Sequence, residues 1–359
     1  MDANLTASNL TCDPSMTHYR YFGALLGTAV SAVGTVGNVM TVLAFIVDRK
    51  LRTKFNLLIL NLTLADLLYC AFLQPITIDT YVHLGWRQGD TMCRVFGLLL
   101  FVANSVSIFN LATIALSRYV LVSDPRRFDR VYSRYTMPFF LAGPWLVALA
   151  LFIPLWGVFE FLPTVCTCSF HRTRGRPYTT VLMVLLFGLG LGAIGVFYFL
   201  IDRKVKAAHR ALEEHRLETT GGPPRPATPQ VFTVAGEVSS SSAASSSGQT
   251  GEGARREERR RRRRGGTGRA GPSEFTRVTS MCLAMFGVFV ACYLPFCLLN
   301  VADGNARAPP LAQAIVANFT WLNGCINPVL YAVMNRQFAQ AYGGVLRKLA
   351  RPFRLLGKR

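Results

Sequence analysis

The chain has 359 residues, 51% of them hydrophobic and only 16% charged, where a soluble domain carries about a quarter. Its net charge is +20, gathered mainly in residues 203–274 and in the tail 336–359. That excludes a basic folded face for nucleic acid and points to a multi-span membrane protein with cytoplasmic basic segments.

Residues 1–21 are polar and lack an apolar h-region, so no cleavable signal peptide is expected and the first span would serve as the insertion signal. Two sequons, Asn4-Leu5-Thr6 and Asn9-Leu10-Thr11, predict glycosylation if this end faces outward. A helix needs about 20 apolar residues to cross a bilayer. Seven stretches qualify, near 22–47, 55–79, 93–121, 136–160, 178–202, 276–302 and 311–334. The expected fold is an all-α membrane protein: a seven-transmembrane helix bundle with an amphipathic C-terminal helix.

Lysine and arginine in the short loops set the orientation. "DRKLRTK" follows span 1, and Arg126, Arg127, Arg130 and Arg134 follow span 3. The N-terminus is therefore expected outside and the C-terminus inside. Residues 203–274 are then one inside loop. It opens with a basic helical extension of span 5 and continues through "GGPPRPATP", "SSSSAASSS" and "RREERRRRRRGG". That composition predicts disorder, with the arginine run solvated near anionic headgroups. The segment "NRQFAQAYGGVLRKLARPF" has apolar residues at helical spacing with basic residues between them. It predicts an amphipathic helix on the inner leaflet.

Polar groups inside spans are costly and tend to mark function. Asp66 falls mid-span, Asn38 lies in "GTVGNVM", and Asn327 and Pro328 lie in "NGCINPVLY". These could form a structural polar cluster or a cation-binding one. Arg118 ends span 3 in "ALSRYVL", where it is a snorkelling anchor or a functional group. Pro295 and Pro328 remove backbone hydrogen bonds and predict kinks in spans 6 and 7.

The loop between spans 4 and 5 reads "CTCSFHRTRGRPY". As an outside loop it has no topological need for Arg172, Arg174 and Arg176. Of nine cysteines, Cys12, Cys93, Cys166 and Cys168 fall outside, where disulfides form. Four cysteines allow three pairings. A metal site lacks a companion Cys or His pair at suitable spacing.

Taken together these residues resemble the rhodopsin-like (class A) G-protein-coupled receptors. The matching pieces come in order: Asn38 in "GN", Asp66 in "LADLL", Cys93, Arg118 in "SRY", Trp145, Pro295 in "CYLPF", and "NPVLY" with Tyr331. Within that family, "KLRTKFNLLILNLTLADLLYC", "CRVFGLLLF", "RGRPYTT" and "WLNGCINPVLYAVMNRQF" resemble the branch that answers to medium-chain fatty acids on immune cells through inhibitory Gi/o proteins. Three departures from the general pattern stand out. Ser117 replaces an acid, so basal activity is expected; Tyr293 replaces a tryptophan; and Gly188, Gly190, Gly192 and Gly195 occur where span 5 has no proline.

The resemblance implies a Cys93–Cys168 bridge, which leaves Cys12–Cys166. It gives Arg172 the ligand carboxylate, since a guanidinium pairs with it bidentately; Arg174 and Arg176 would only steer anions. All three remaining solvated is the plainer alternative. Leu100, Phe101 and Asn104 share one face of span 3. With Tyr69, Tyr81, Phe152, Phe170, Tyr293, Phe296, Asn318 and Trp321 they would form an acyl slot. Asn104 would meet a hydroxyl or limit chain length. Span 6 would swing at Pro295, freeing Arg118 to meet Tyr198, Tyr331 and the G protein. Arrestin and membrane lipids are further expected partners, nucleic acid is not, and no cofactor is expected beyond a sodium ion that the Asp66 cluster could hold. The plasma membrane is the location that the family resemblance implies.

No enzyme is expected, since no nucleophile–base pair or metal cluster is evident. A retinal photoreceptor needs a lysine in span 7, and residues 311–334 have none. A transporter should show repeats, and none is visible.

Overall fold

The computed structural model describes residues 10–171, 174–220, 272–303 and 307–356. Asn4, Asn9, Arg172 and the central part of the predicted inside loop, 221–271, lie outside the described residues. Contacts divide the chain into two units, Met1–Lys204 with Arg277–Arg359 and Val205–Thr276. The pocket and the polar core described below belong to the first.

Helix α1 spans Met16–Val47 and begins six residues before the first apolar stretch. Its buried positions Gly23, Gly27, Val30, Gly34, Asn38 and Thr41 recur every three or four residues, while Leu25, Val33, Val36 and Ile46 are exposed. An apolar exposed face and a small-residue buried stripe are what a lipid-facing helix needs. A Cβ on Gly27 would come within 2.8 Å of the Gln74 amide, so glycine sets how closely α1 meets the next helix.

Helix α2 runs over Lys54–His83, with a π turn at Leu68–Leu73 just ahead of Pro75. The proline cannot donate to the ladder, and a wider turn relieves the clash. Ser31 donates to the freed Cys70 carbonyl at 2.8 Å. Helix α3 is Gly89–Ser123, followed by the short α4, Pro125–Val131, capped by the Asp124 carboxylate. Helix α5, Met137–Phe152, tightens into a 3₁₀ stretch at Ile153–Val158.

Next comes a hairpin, β1 (Phe159–Leu162) and β2 (Thr167–Phe170), antiparallel with Phe159 opposite Phe170 and Phe161 opposite Cys168. Period-2 alternation buries Phe159, Phe161, Cys168 and Phe170. Two disulfides hold it: Cys93–Cys168, with Cα atoms 5.4 Å apart, and Cys12–Cys166, at 5.0 Å. These are the pairs implied by the resemblance. The N-terminal segment is also tied by backbone bonds, Trp86 N–H to Leu10 at 2.8 Å and Asp13 N–H to Pro163 at 3.0 Å.

Helix α6 covers Tyr178–Met183, a π turn at Val184–Leu189, and Gly190–Thr220, so it continues well past the apolar span that ends near 202. Of its four glycines only Gly190 is needed for a close approach: a Cβ there would lie 2.6 Å from Ile108 of α3. Helix α7 is Pro272–Ala302 with Pro295 inside. The last span crosses in two pieces, α8 (Pro310–Phe319) and α9 (Leu322–Met334), broken at Thr320–Trp321. Among the described residues six helices are long and apolar enough to cross a membrane as single segments. The seventh crossing is not among them because its break leaves pieces of 10 and 13 residues.

Helix α10, Arg336–Leu356, is the predicted amphipathic one. Phe338 packs on Phe45 and Tyr331, and Tyr342 shares a 2.7 Å hydrogen bond with Thr41. Burial pushes the Tyr342 phenol up to about 12, so it stays neutral and keeps its proton for this contact.

Candidate ligand pocket and the polar core beneath it

An apolar cavity of about 90 Å³ lies inside the bundle beneath the hairpin. Helix α3 contributes Leu100, Phe101 and Asn104; α5 contributes Phe152; α7 contributes Tyr293 and Phe296; the broken span contributes Asn318 and Trp321. Tyr69 enters from the π turn of α2 and Phe170 from β2. All ten belong to the set expected to form the slot. Phe101 is its centre, with ring centroids at 4.9 Å from Phe170, 5.6 Å from Phe152 and 6.1 Å from Phe159.

Tyr81 does not line the cavity. It is fully buried behind the wall, its ring edge-on to Trp321 at 5.7 Å and its hydroxyl 3.3 Å from the Asn318 side-chain oxygen. Tyr81 therefore sets the orientation of two lining residues. Tyr19 of α1 adds to this layer, accepting from the Asn318 amide at 3.0 Å. The sequence reading missed Leu162, Val165, Thr167 and Ser169 of the hairpin, and Leu182, Met183, Leu186 and Phe187 of α6. The spanning part of α6, residues 178–201, is apolar on nearly every side, so no periodicity separates its cavity face from its lipid face.

At the floor, the Tyr293 hydroxyl donates to Asn104 at 2.8 Å. The Tyr293 ring stacks on Phe289 at 4.4 Å. Below it is a second space of about 10 Å³, which shares Tyr69, Asn104, Tyr293 and Thr320 with the first and adds Asp66, Ser107 and Asn323. The Asp66 carboxylate, 2% exposed, accepts from Asn327 at 2.9 Å. Asn38 does not bond to Asp66. It donates to two backbone carbonyls, Gly34 at 2.8 Å and Gly324 at 2.9 Å, and so joins α1 to α9.

At the far end of α3, Arg118 is 7% exposed and its guanidinium sits 3.4 Å from the Phe55 ring centroid. Ser117 turns its hydroxyl back to the Ile114 carbonyl at 2.8 Å. Stacking on an aromatic face thus takes the place of an acidic neighbour. Tyr198 and Cys282 flank Arg118; Tyr331 is fully buried nearer α10.

The arginines beyond the hairpin divide by partner. Arg174 pairs with Glu160, which His171 also approaches at 3.5 Å. Arg176 donates to the Asn300 carbonyl at 3.2 Å. Among the described residues no group of three His, Cys, Asp or Glu side chains is placed to hold a metal.

The chain matches the family described as 7 transmembrane receptor (rhodopsin family) over residues 37–331. It is 46% identical to G-protein coupled receptor 84 of Mus musculus, covering 98% of this chain and 99% of that protein. The Homo sapiens protein of the same name is 44% identical over the same shares. G-protein coupled receptor moody of Drosophila melanogaster is 30% identical over 93% of this chain and 52% of its own length. A bundle of seven membrane crossings, a Cys93-anchored hairpin and likeness along nearly the whole sequence agree: this chain is a receptor and not an enzyme, a multi-pass membrane protein of the rhodopsin, or class A, G-protein-coupled receptor family.

Proposed function

We propose that this receptor answers to medium-chain fatty acids, including hydroxylated ones, and signals through heterotrimeric Gi/o proteins from the plasma membrane, its N-terminus outside. The observation that carries the reading is the cavity itself. It is aromatic and aliphatic, with few polar groups, and lies under a covalently fixed hairpin whose second strand leads, in sequence, into Arg172, Arg174 and Arg176. Its lining is mostly apolar, which suits an acyl chain better than a peptide, the other ligand class a receptor of this family could take, because a peptide's backbone amides would need buried partners.

In this reading Arg172 holds the carboxylate and the Asn104–Tyr293 pair meets the far end of the chain. The ligand favours a pre-existing active arrangement. A shift from 1:99 to 99:1 needs about 5.5 kcal/mol of differential binding, within reach of a charge pair and several methylenes at about 0.8 kcal/mol each. Swinging of α7 at Pro295 would expose Arg118 to the G protein. Glycans on Asn4 and Asn9, recruitment of arrestin and a pro-inflammatory role on immune cells follow from the resemblance. The oxygen donors of Asp66, Ser107 and Asn323 are of the kind a hard cation takes, so the small lower cavity is proposed to hold sodium.

The test is a second-messenger assay over acids from short to long. A maximum at medium length is expected, with Arg172→Ala removing the response while surface expression stays normal. A flat response across the series would sink the reading.

A further inference from the structure

Building on the fatty-acid reading above, we propose that the acid reaches the cavity sideways from the lipid, between α6 and α7, and that Arg176 receives its carboxylate on the way. The hairpin covers the direct path from solvent. The hairpin is crossed by two disulfides, and Val165, Cys166, Cys168 and Phe161 on it are each less than a tenth exposed. Covalent clamps do not open on the timescale of ligand exchange.

The flank is built differently. A narrow crevice of about 10 Å³ shares Phe170, Thr179, Met183 and Asn300 with the main cavity and adds Arg176 and Val301. It grades from buried Thr179 to Val301 at 49% exposure. The helix faces beside it carry exposed Val181 and Leu298, so it opens onto an apolar surface that lipid would cover. Met183 lines it and can change rotamer at low cost.

The charge supports the same direction. Arg174 is occupied by Glu160. Arg176 is half-buried and bonds only to a neutral carbonyl, with no carboxylate partner among the described residues. A guanidinium held at an apolar opening with its charge uncompensated is a receptor for an amphiphilic anion. It would take the headgroup while the acyl chain is still in the bilayer, then pass the chain between Met183 and Phe170 into the slot. The sequence reading left Arg176 as a solvated, steering charge; its place in the crevice gives it a specific task.

The experiment uses full-length receptor in cells, decanoic acid as probe, and G-protein activation as readout, with surface level measured in parallel. Arg176→Gln is expected to raise the half-maximal concentration at least threefold. Arg176→Lys should restore it, and Arg174→Gln, which removes a charge two residues away, should leave it within threefold. Val301→Trp, at an exposed position, should slow the onset at least threefold while the plateau is unchanged. An Arg176→Gln curve within threefold of wild type, or a Val301→Trp onset like wild type, overturns the proposal. Should Arg176→Gln fail to reach the surface, Val301→Trp decides alone. The fatty-acid reading stands or falls separately: it survives either result if Arg172→Ala is silent, and a wild-type receptor deaf to decanoic acid sinks both.

Discussion

Asn104 and Tyr293 make one hydrogen bond that faces two spaces, the acyl slot above and the Asp66 cavity below. Replacing Asn104 with leucine leaves a buried phenol without its acceptor, at a cost of about 1–3 kcal/mol. The thermal midpoint of the detergent-solubilised receptor should fall, and Asn104→Leu with Tyr293→Phe should recover most of the loss. A double variant no better than the single one would show that the bond matters little. Arg118 is a second residue whose neighbour could not be guessed from the chain. Its stack on Phe55 contributes on the order of 1–2 kcal/mol in a desolvated setting and keeps it buried. Phe55→Leu keeps the apolar bulk but removes the π face. Basal nucleotide exchange should rise several-fold, whereas Ser117→Asp should lower it.

Among the elements, the hairpin shows most clearly how a local pattern gains meaning from its anchors. Alternation buries Phe159, Phe161 and Phe170 on one side, and the turn residue Val165 reaches the cavity wall. The Cys12–Cys166 bridge holds that turn, while Cys93–Cys168 holds the strand. Removing only the first, with Cys12→Ser and Cys166→Ser together, should leave the receptor at the surface but weaken its response to acids at least tenfold. Dose–response curves matched for expression would check this, and unchanged potency would count against the hairpin as a cavity wall. The broken seventh span carries a related lesson. Its polar residues lower its apolarity, yet each has a partner or a cavity: Asn318 bonds Tyr19 and Tyr81, Asn327 bonds Asp66, and Thr320 lines both spaces.

For the whole molecule, the polar core lies beneath the candidate ligand cavity and shares Tyr69, Asn104, Tyr293 and Thr320 with it. Sodium at Asp66 should lower agonist affinity in the wild type and have no effect in Asp66→Asn, measured as agonist potency in sodium against a bulky organic cation; equal sensitivity in both would end that proposal. Membrane class, the seven crossings, the four cysteines that pair and the polar residues within spans were all legible in the chain. Each depends on a local property, the cost of placing a charge or an amide in hydrocarbon, which a window of about 20 residues expresses fully. Tertiary structure alone decided that Tyr81 stands behind the cavity wall, that Arg174 is taken by Glu160 while Arg176 edges a side crevice, and that Phe55 covers Arg118. A helix apolar on every side carries no mark of which face meets lipid and which meets ligand, so only the packing of its neighbours could assign them.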